Sequence, residues 1–120
     1  MDVNNPVVKL CIEGTQAEFE GRREDASNLY AQAWKTAQDD FEACIAAHYV
    51  ARFQEDPADQ LRWNQEALSR AQAVQDGRVD SFYPSLYLNL GQTCERLGRP
   101  DEPQAYYHLA ADMGFPHQAE

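Results

Sequence analysis

At 120 residues the chain is long enough for one small domain with a modest core, and its 43% apolar content is that of a folding sequence. Twenty acidic against 10 basic residues give a net charge of -10, which argues against nucleic-acid backbone and anionic lipid as partners. No apolar run approaches bilayer length, and "MDVNNPVVKL" has no basic patch ahead of an apolar segment, so neither a spanning helix nor a secretory signal is expected.

Strand alternation is nearly absent; glycine and proline instead punctuate a helical pattern. Asn5-Pro6 reads as an N-cap and a first-turn proline, opening a helix to about Glu20 that Gly21 can close in a left-handed conformation. A second helix starts near Arg23 or Glu24, with Ala26, Leu29, Tyr30, Ala33, Trp34 and Ala37 on one buried face. A third begins near Asp39 or Asp40 and carries "IAAHYVARF". Asp56-Pro57 repeats the cap-and-proline signal and opens a fourth, whose inner face holds Leu61, Trp63 or Asn64, Ala67, Leu68, Ala71 and Val74, with Asp76-Gly77 at its end. "RVDSFYP" leads to a fifth helix, about Pro84 to Leu97, closed by Gly98. Asp101 can cap a sixth that reaches about Met113. Short turns between helices imply antiparallel hairpins, at about 6–39, 40–76 and 82–114, within a single domain 1–120. Cys11, Cys44 and Cys94 are odd in number and widely spaced, which fits reduced, partly buried thiols in a cytoplasm better than a disulfide framework.

Internal repetition is the strongest signal. In "GTQAEFEGRREDASNLYAQA" and "GQTCERLGRPDEPQAYYHLA", Gly14 matches Gly91, Gly21 matches Gly98, Tyr30 matches Tyr107 and Ala33 matches Ala110, at identical spacings. Asn64 and Ala67 fall 34 residues after Tyr30 and Ala33; the third-copy landmarks follow after a further 43, so about nine extra residues sit between the fourth and fifth helices. Over roughly Val7 to Gly114 this resembles the tetratricopeptide repeat in a small, bacterial-type form. Gly14, Gly21, Ala26, Tyr30 and Ala33 match all five family markers. The third copy departs at Pro103. The middle copy departs most, with His48 or Ala47 for the first small residue and Glu55 for the turn glycine. The resemblance implies an all-α, right-handed α-solenoid of three antiparallel hairpins whose first helices line a concave face. Many members of the family clamp chaperone tails with lysines, asparagines and an arginine. Here Cys11, Thr15, Ala46 and Ser85 occupy most of those places and only Asn89 and nearby Arg96 have the chemistry, so a clamp of that kind is not expected.

The groove residues expected from the first helices are Thr15, Glu18 and Phe19, with Cys11 deeper; Ile45, His48, Tyr49 and Arg52; and Leu88, Asn89, Gln92 and Arg96. This mixture of aromatics, amides and arginines suits an extended peptide or a small polar ligand; the plain alternative is a solvated inner face. Cys44 and His48 share a helix face, but zinc needs at least three protein ligands and no second pair has useful spacing, so no metal or other cofactor is expected. His108 and His117 read as surface residues. G-x-S-x-G, Walker and G-x-G-x-x-G patterns are absent, and no parallel sheet exists to carry a nucleotide site. Trp34 reads as hairpin packing, and Trp63 competes with Asn64 for the inward position. "GRREDA" and "RPDEPQ" read as solvated turns. The sixth helix, with Tyr106, Tyr107, Leu109, Met113 and then Phe115, offers apolar surface for self-association. The expected function is a non-enzymatic cytoplasmic module that binds a protein or peptide. The alternatives are a small-ligand sensor or minor helical enzyme using His48, Tyr49 and Arg52, and a structural module that dimerises through the C-terminal hairpin.

Overall fold

A computed structural model describes residues 3–98 and 106–109. Every regular element among them is helical: α1 (Pro6–Phe19), α2 (Arg23–Thr36), α3 (Asp40–Arg52), α4 (Pro57–Ala73), a one-turn 3-10 helix (Asp80–Phe82) and α5 (Tyr83–Arg96), with 106–109 also helical. No helix among the described residues is long and apolar enough to cross a membrane.

Capping sets these boundaries. The Asn5 side chain accepts from the backbone N–H of Val7 at 2.8 Å and of Val8 at 3.2 Å. Asp39 accepts from the N–H of Glu42, and Asp56 from that of Ala58, each at 2.8 Å. Pro6 and Pro57 occupy first-turn positions, where a missing N–H costs nothing. Gly21, at φ +78°, lets the chain leave α1 with N–H groups of Gly21 and Arg22 returned to the carbonyls of Glu18 and Ala17. Gly98, at φ +71°, closes α5 with its N–H returned to the Glu95 carbonyl. α4 stops at Ala73, short of Asp76-Gly77, because Val74 is already extended at ψ 121°.

Packing follows chain order. α1 lies on α2, α2 on α3, α3 on α4 and α4 on α5, and α3 also touches α1. α3 is the central element. Ala43, Ala46, Ala47 and Ala51 are buried, and side chains this small let neighbouring backbones approach it closely. Tyr30 of α2 is fully buried with its ring laid on Gly14 of α1; a Cβ at Gly14 would come within 2.8 Å of its Cδ1. Tyr107 lies on Gly91 of α5 in the same way, with its Cε1 2.6 Å from where a Cβ would stand. The two sequence copies thus share one physical contact, an aromatic seated on a glycine sixteen residues earlier. Trp34 and Trp63 meet edge to face at 5.0 Å, joining the first pair of helices to the second, while Asn64 takes the inward place on α4 at 5% exposure.

The extra residues between α4 and α5 have a structural role. Val79 is buried, and Phe82 stacks on Phe41 of α3 at 6.2 Å, so the insertion is anchored on the core. Of the sixth helix only 106–109 are described; the residues beyond Leu109, and with them the apolar surface at Met113 and Phe115, lie outside the described residues, as does "RPDEPQ", 99–104.

Candidate functional site

Where α3 faces α5, the gap is bridged by side chains, and two cavities adjoin there. The first, about 170 Å³, is mainly apolar: Ile45 and Tyr49 of α3 face Phe82 of the one-turn helix and Leu86 of α5, with Ser81 and Ser85 at its edge. Phe82 and Ser81 come from the insertion, so the break in the repeat builds one wall of this cavity. The second, about 200 Å³, is polar: Arg52 of α3, Gln60 and Asn64 of α4, and Asn89, Gln92, Thr93 and Arg96 of α5 line it. His48 lines both.

His48 is held as a wall between them. Its Nδ1 lies 3.2 Å from the side-chain nitrogen of Asn89. An amide nitrogen donates, so Nδ1 accepts and the proton of the neutral ring sits on Nε2. Burial, and secondarily the Arg52 charge, lower the His48 pKa below its ordinary value of 6.5. The ring also meets Tyr49 edge to face at 5.1 Å.

A second network runs from α1 through this face. The Tyr30 hydroxyl donates to the Glu18 carboxylate and lies 3.2 Å from the Thr15 hydroxyl, which itself donates to the Cys11 carbonyl. Arg52 donates to the other Glu18 oxygen at 3.1 Å, and its guanidinium stands over the Tyr49 ring at 5.9 Å. Tyr49 stacks on Tyr30 at 5.1 Å. Because Tyr30 anchors this network, the core aromatic of the repeat also fixes the Arg52 head group.

The expected groove residues divide accordingly. Thr15, Glu18, His48, Tyr49, Arg52 and Asn89 form a continuous set of contacts, and Gln92 and Arg96 extend it along the polar cavity. Ile45 is buried at 4% exposure and forms part of the apolar cavity. Phe19 stands apart at 86% exposure, and Leu88, half-buried, lines neither cavity. Among the clamp positions, Cys11 and Ala46 are buried in the core and Ser85 lines the apolar cavity. Gln60, Asn64, Thr93 and Phe82 join the site from outside the expected set. Asn64 left a trace in the sequence, an amide where the inner face of α4 otherwise asks for an apolar residue. Phe82 belongs to an insertion that follows no repeat position.

No grouping of three or more His, Cys, Asp or Glu among the described residues could hold a metal ion. No family model, curated protein or solved structure matches the chain.

A pH experiment tests the His48 geometry. Its folded-state pKa is lowered, so the unfolded chain binds the extra proton first, and the stability that neutral His48 contributes is complete above about 6.5 and lost as pH falls below it. Denaturant midpoints measured from about pH 7 to about pH 5 should fall for the native sequence and fall less for His48→Gln. Parallel profiles for the two proteins would count against the buried, neutral ring.

Proposed function

We propose that the chain is a small binding module of the tetratricopeptide type, three hairpins in a right-handed solenoid, that holds a peptide or protein segment against the first helices of its hairpins. The observation that carries this reading is the pair of adjoining cavities of opposite character with His48 as their common wall. An extended segment presents an apolar side chain and the polar groups of its main chain within one residue's length, which is the separation such a pair asks for. Tyr49 and Arg52 supply the aromatic surface and guanidinium that dominate binding faces. The shared Gly14–Tyr30 and Gly91–Tyr107 contacts support the repeat assignment. The mechanism is stoichiometric: a preformed face buries its ligand with no covalent step. Three buried free thiols support a reducing compartment such as the cytoplasm.

Affinity capture from a native lysate tests the reading, with Tyr49→Ala and Arg52→Glu beside the native sequence. Both variants should lose the captured partner by roughly tenfold or more, at unchanged helicity. Arg52 is exposed, so Arg52→Glu separates binding from folding; Tyr49 stacks on the core and needs a melting curve beside it. Capture of the same partners at the same yield by both variants sinks the groove. The polar cavity also favours a second reading, a small-ligand sensor using His48, Tyr49 and Arg52. That reading expects a thermal shift with a metabolite and no captured protein.

A further inference from the structure

Resting on the small-ligand reading of this face, we propose that the apolar cavity takes one neutral aromatic ring bearing a hydroxyl, a small phenol.

Size and charge are the first observation. The cavity measures about 170 Å³. An apolar protein cavity of roughly 150 Å³ accepts a benzene molecule, so this one holds a single ring and little more. Charged residues make up 25% of the chain, yet no charged side chain lines this space. A carboxylate or an ammonium group would lose its water there and gain no partner. The walls also favour a ring over an aliphatic ligand. Tyr49 and Phe82 offer aromatic surface from facing sides, and the buried, protonated Cys44 sulfur adds a contact that favours a ring edge.

His48 supplies the second observation. Its Nδ1 accepts from Asn89, a residue of the polar cavity. The ring edge opposite Nδ1 is the Nε2–Cδ2 bond, so the Nε2–H turns away from Asn89, toward the apolar cavity that His48 also lines. That N–H has no partner among the described residues. It is not sealed in either, since Asn64 Oδ1 is the one side-chain polar atom among them that is fully buried without a bond. A donor in the wall of an otherwise apolar space selects a ligand that brings an acceptor. A phenol hydroxyl accepts from Nε2–H and donates its own proton outward to Ser81 or Ser85 at the rim, which a carbonyl group could not do.

The origin of the wall is the third observation. Ser81 and Phe82 belong to the residues inserted between α4 and α5, which have no counterpart in the other copies. Buried Val79 and the Phe82–Phe41 stack fasten the insertion to the core, so the wall is preformed. The cavity is therefore particular to this chain's broken repeat and is not a product of stacking hairpins.

An amide NMR titration of the full chain tests this with phenol, with toluene, which lacks the hydroxyl, with cyclohexanol, which lacks the aromatic ring, and with benzoate, which is charged. Phenol should bind saturably and move the signals of Ile45, Phe82 and Leu86 more than those of Gln60 and Arg96. It should bind roughly tenfold more tightly than toluene, the factor that one hydrogen bond to an otherwise unpaired donor supplies, and more tightly than cyclohexanol or benzoate. Ser85 is exposed at the rim, so Ser85→Trp should close the mouth and weaken phenol by a similar factor while melting like the native protein. In His48→Leu the preference for phenol over toluene should vanish; both ligands meet the same variant, so the ratio is independent of any change in stability. No saturable binding of phenol, equal or tighter binding of any of the other three, indifference to Ser85→Trp, or a phenol preference kept in His48→Leu overturns the proposal. If phenol fails while another metabolite shifts the melting point, this inference alone falls and the small-ligand reading stands.

Discussion

Tyr30→Ala is expected to destabilise the chain by about 3–5 kcal/mol, the cost of removing a fully buried aromatic from a packed interior. The total stability of a domain this size is about 5–15 kcal/mol, so the variant should be partly unfolded at physiological temperature. The effect is large because three contacts end on one ring. It lies on Gly14 of α1, stacks on Tyr49 at 5.1 Å and meets Phe53 at 5.4 Å. Nothing else fills that space, and the backbone of α1 at Gly14 has no side chain to relax into it. Tyr30→Phe keeps the ring and removes the hydroxyl with its contacts to Glu18 and Thr15, so it should cost about 1 kcal/mol. Gly91→Ala tests the equivalent contact from the other side: the added Cβ would stand 2.6 Å from Tyr107 Cε1, and such overpacking costs about 1–3 kcal/mol. Denaturant unfolding of the three variants gives the ranking. A Tyr30→Ala cost below about 1 kcal/mol would mean that the glycine–tyrosine contact does not hold the first pair of helices together.

The same contact explains what could be read from the sequence. A tyrosine sixteen residues after a glycine, present twice, is a covalent pattern with one steric cause, and it is legible wherever it is intact. Caps and left-handed glycines are legible for the same reason: Asn5, Asp39, Asp56, Gly21 and Gly98 act on their own few residues of backbone. The site is less legible because its parts come from elements distant in sequence. His48 and Asn89 meet across 41 residues, and Asn64 and Thr93 across 29. Periodicity put His48 near the α3 surface but could not choose between packing and cavity; it does both, because the cavities lie on either side of it. Phe19 shows the opposite limit. It sits one position after Glu18, whose carboxylate is turned to Tyr30 and Arg52, and one residue is about 100° of helix, so Phe19 points elsewhere, to 86% exposure. Phe82 had no periodic signal at all, since an insertion has no counterpart in the other copies.

The native thiols should react with an aromatic disulfide reagent at least about a thousandfold more slowly than the same thiols in denaturant. Burial pushes the Cys11 and Cys44 thiols up to about 12 from an ordinary 9.0. Three units leave about one-thousandth of the usual thiolate at a given pH below both values, and thiolate is the attacking species. Cys94 is fully buried, so the reagent cannot reach it without opening of the structure. A titration should therefore find no fast thiol in the native protein and three in denaturant. Cys44 decides the functional side of the experiment. It stands four residues before His48 and touches the same apolar cavity, the geometry in which a thiolate and an imidazole could share a ligand. A zinc site needs at least three protein ligands, and no group of three or more His, Cys, Asp or Glu among the described residues could hold a metal ion, so this pair reads as packing. A single fast thiol that maps to Cys44 would reverse that conclusion and make the cavity reactive rather than receptive. Slow reaction of all three, accelerated by Tyr30→Ala, would show instead that the thiols answer only to opening of the fold, because the rate then follows the population of open molecules.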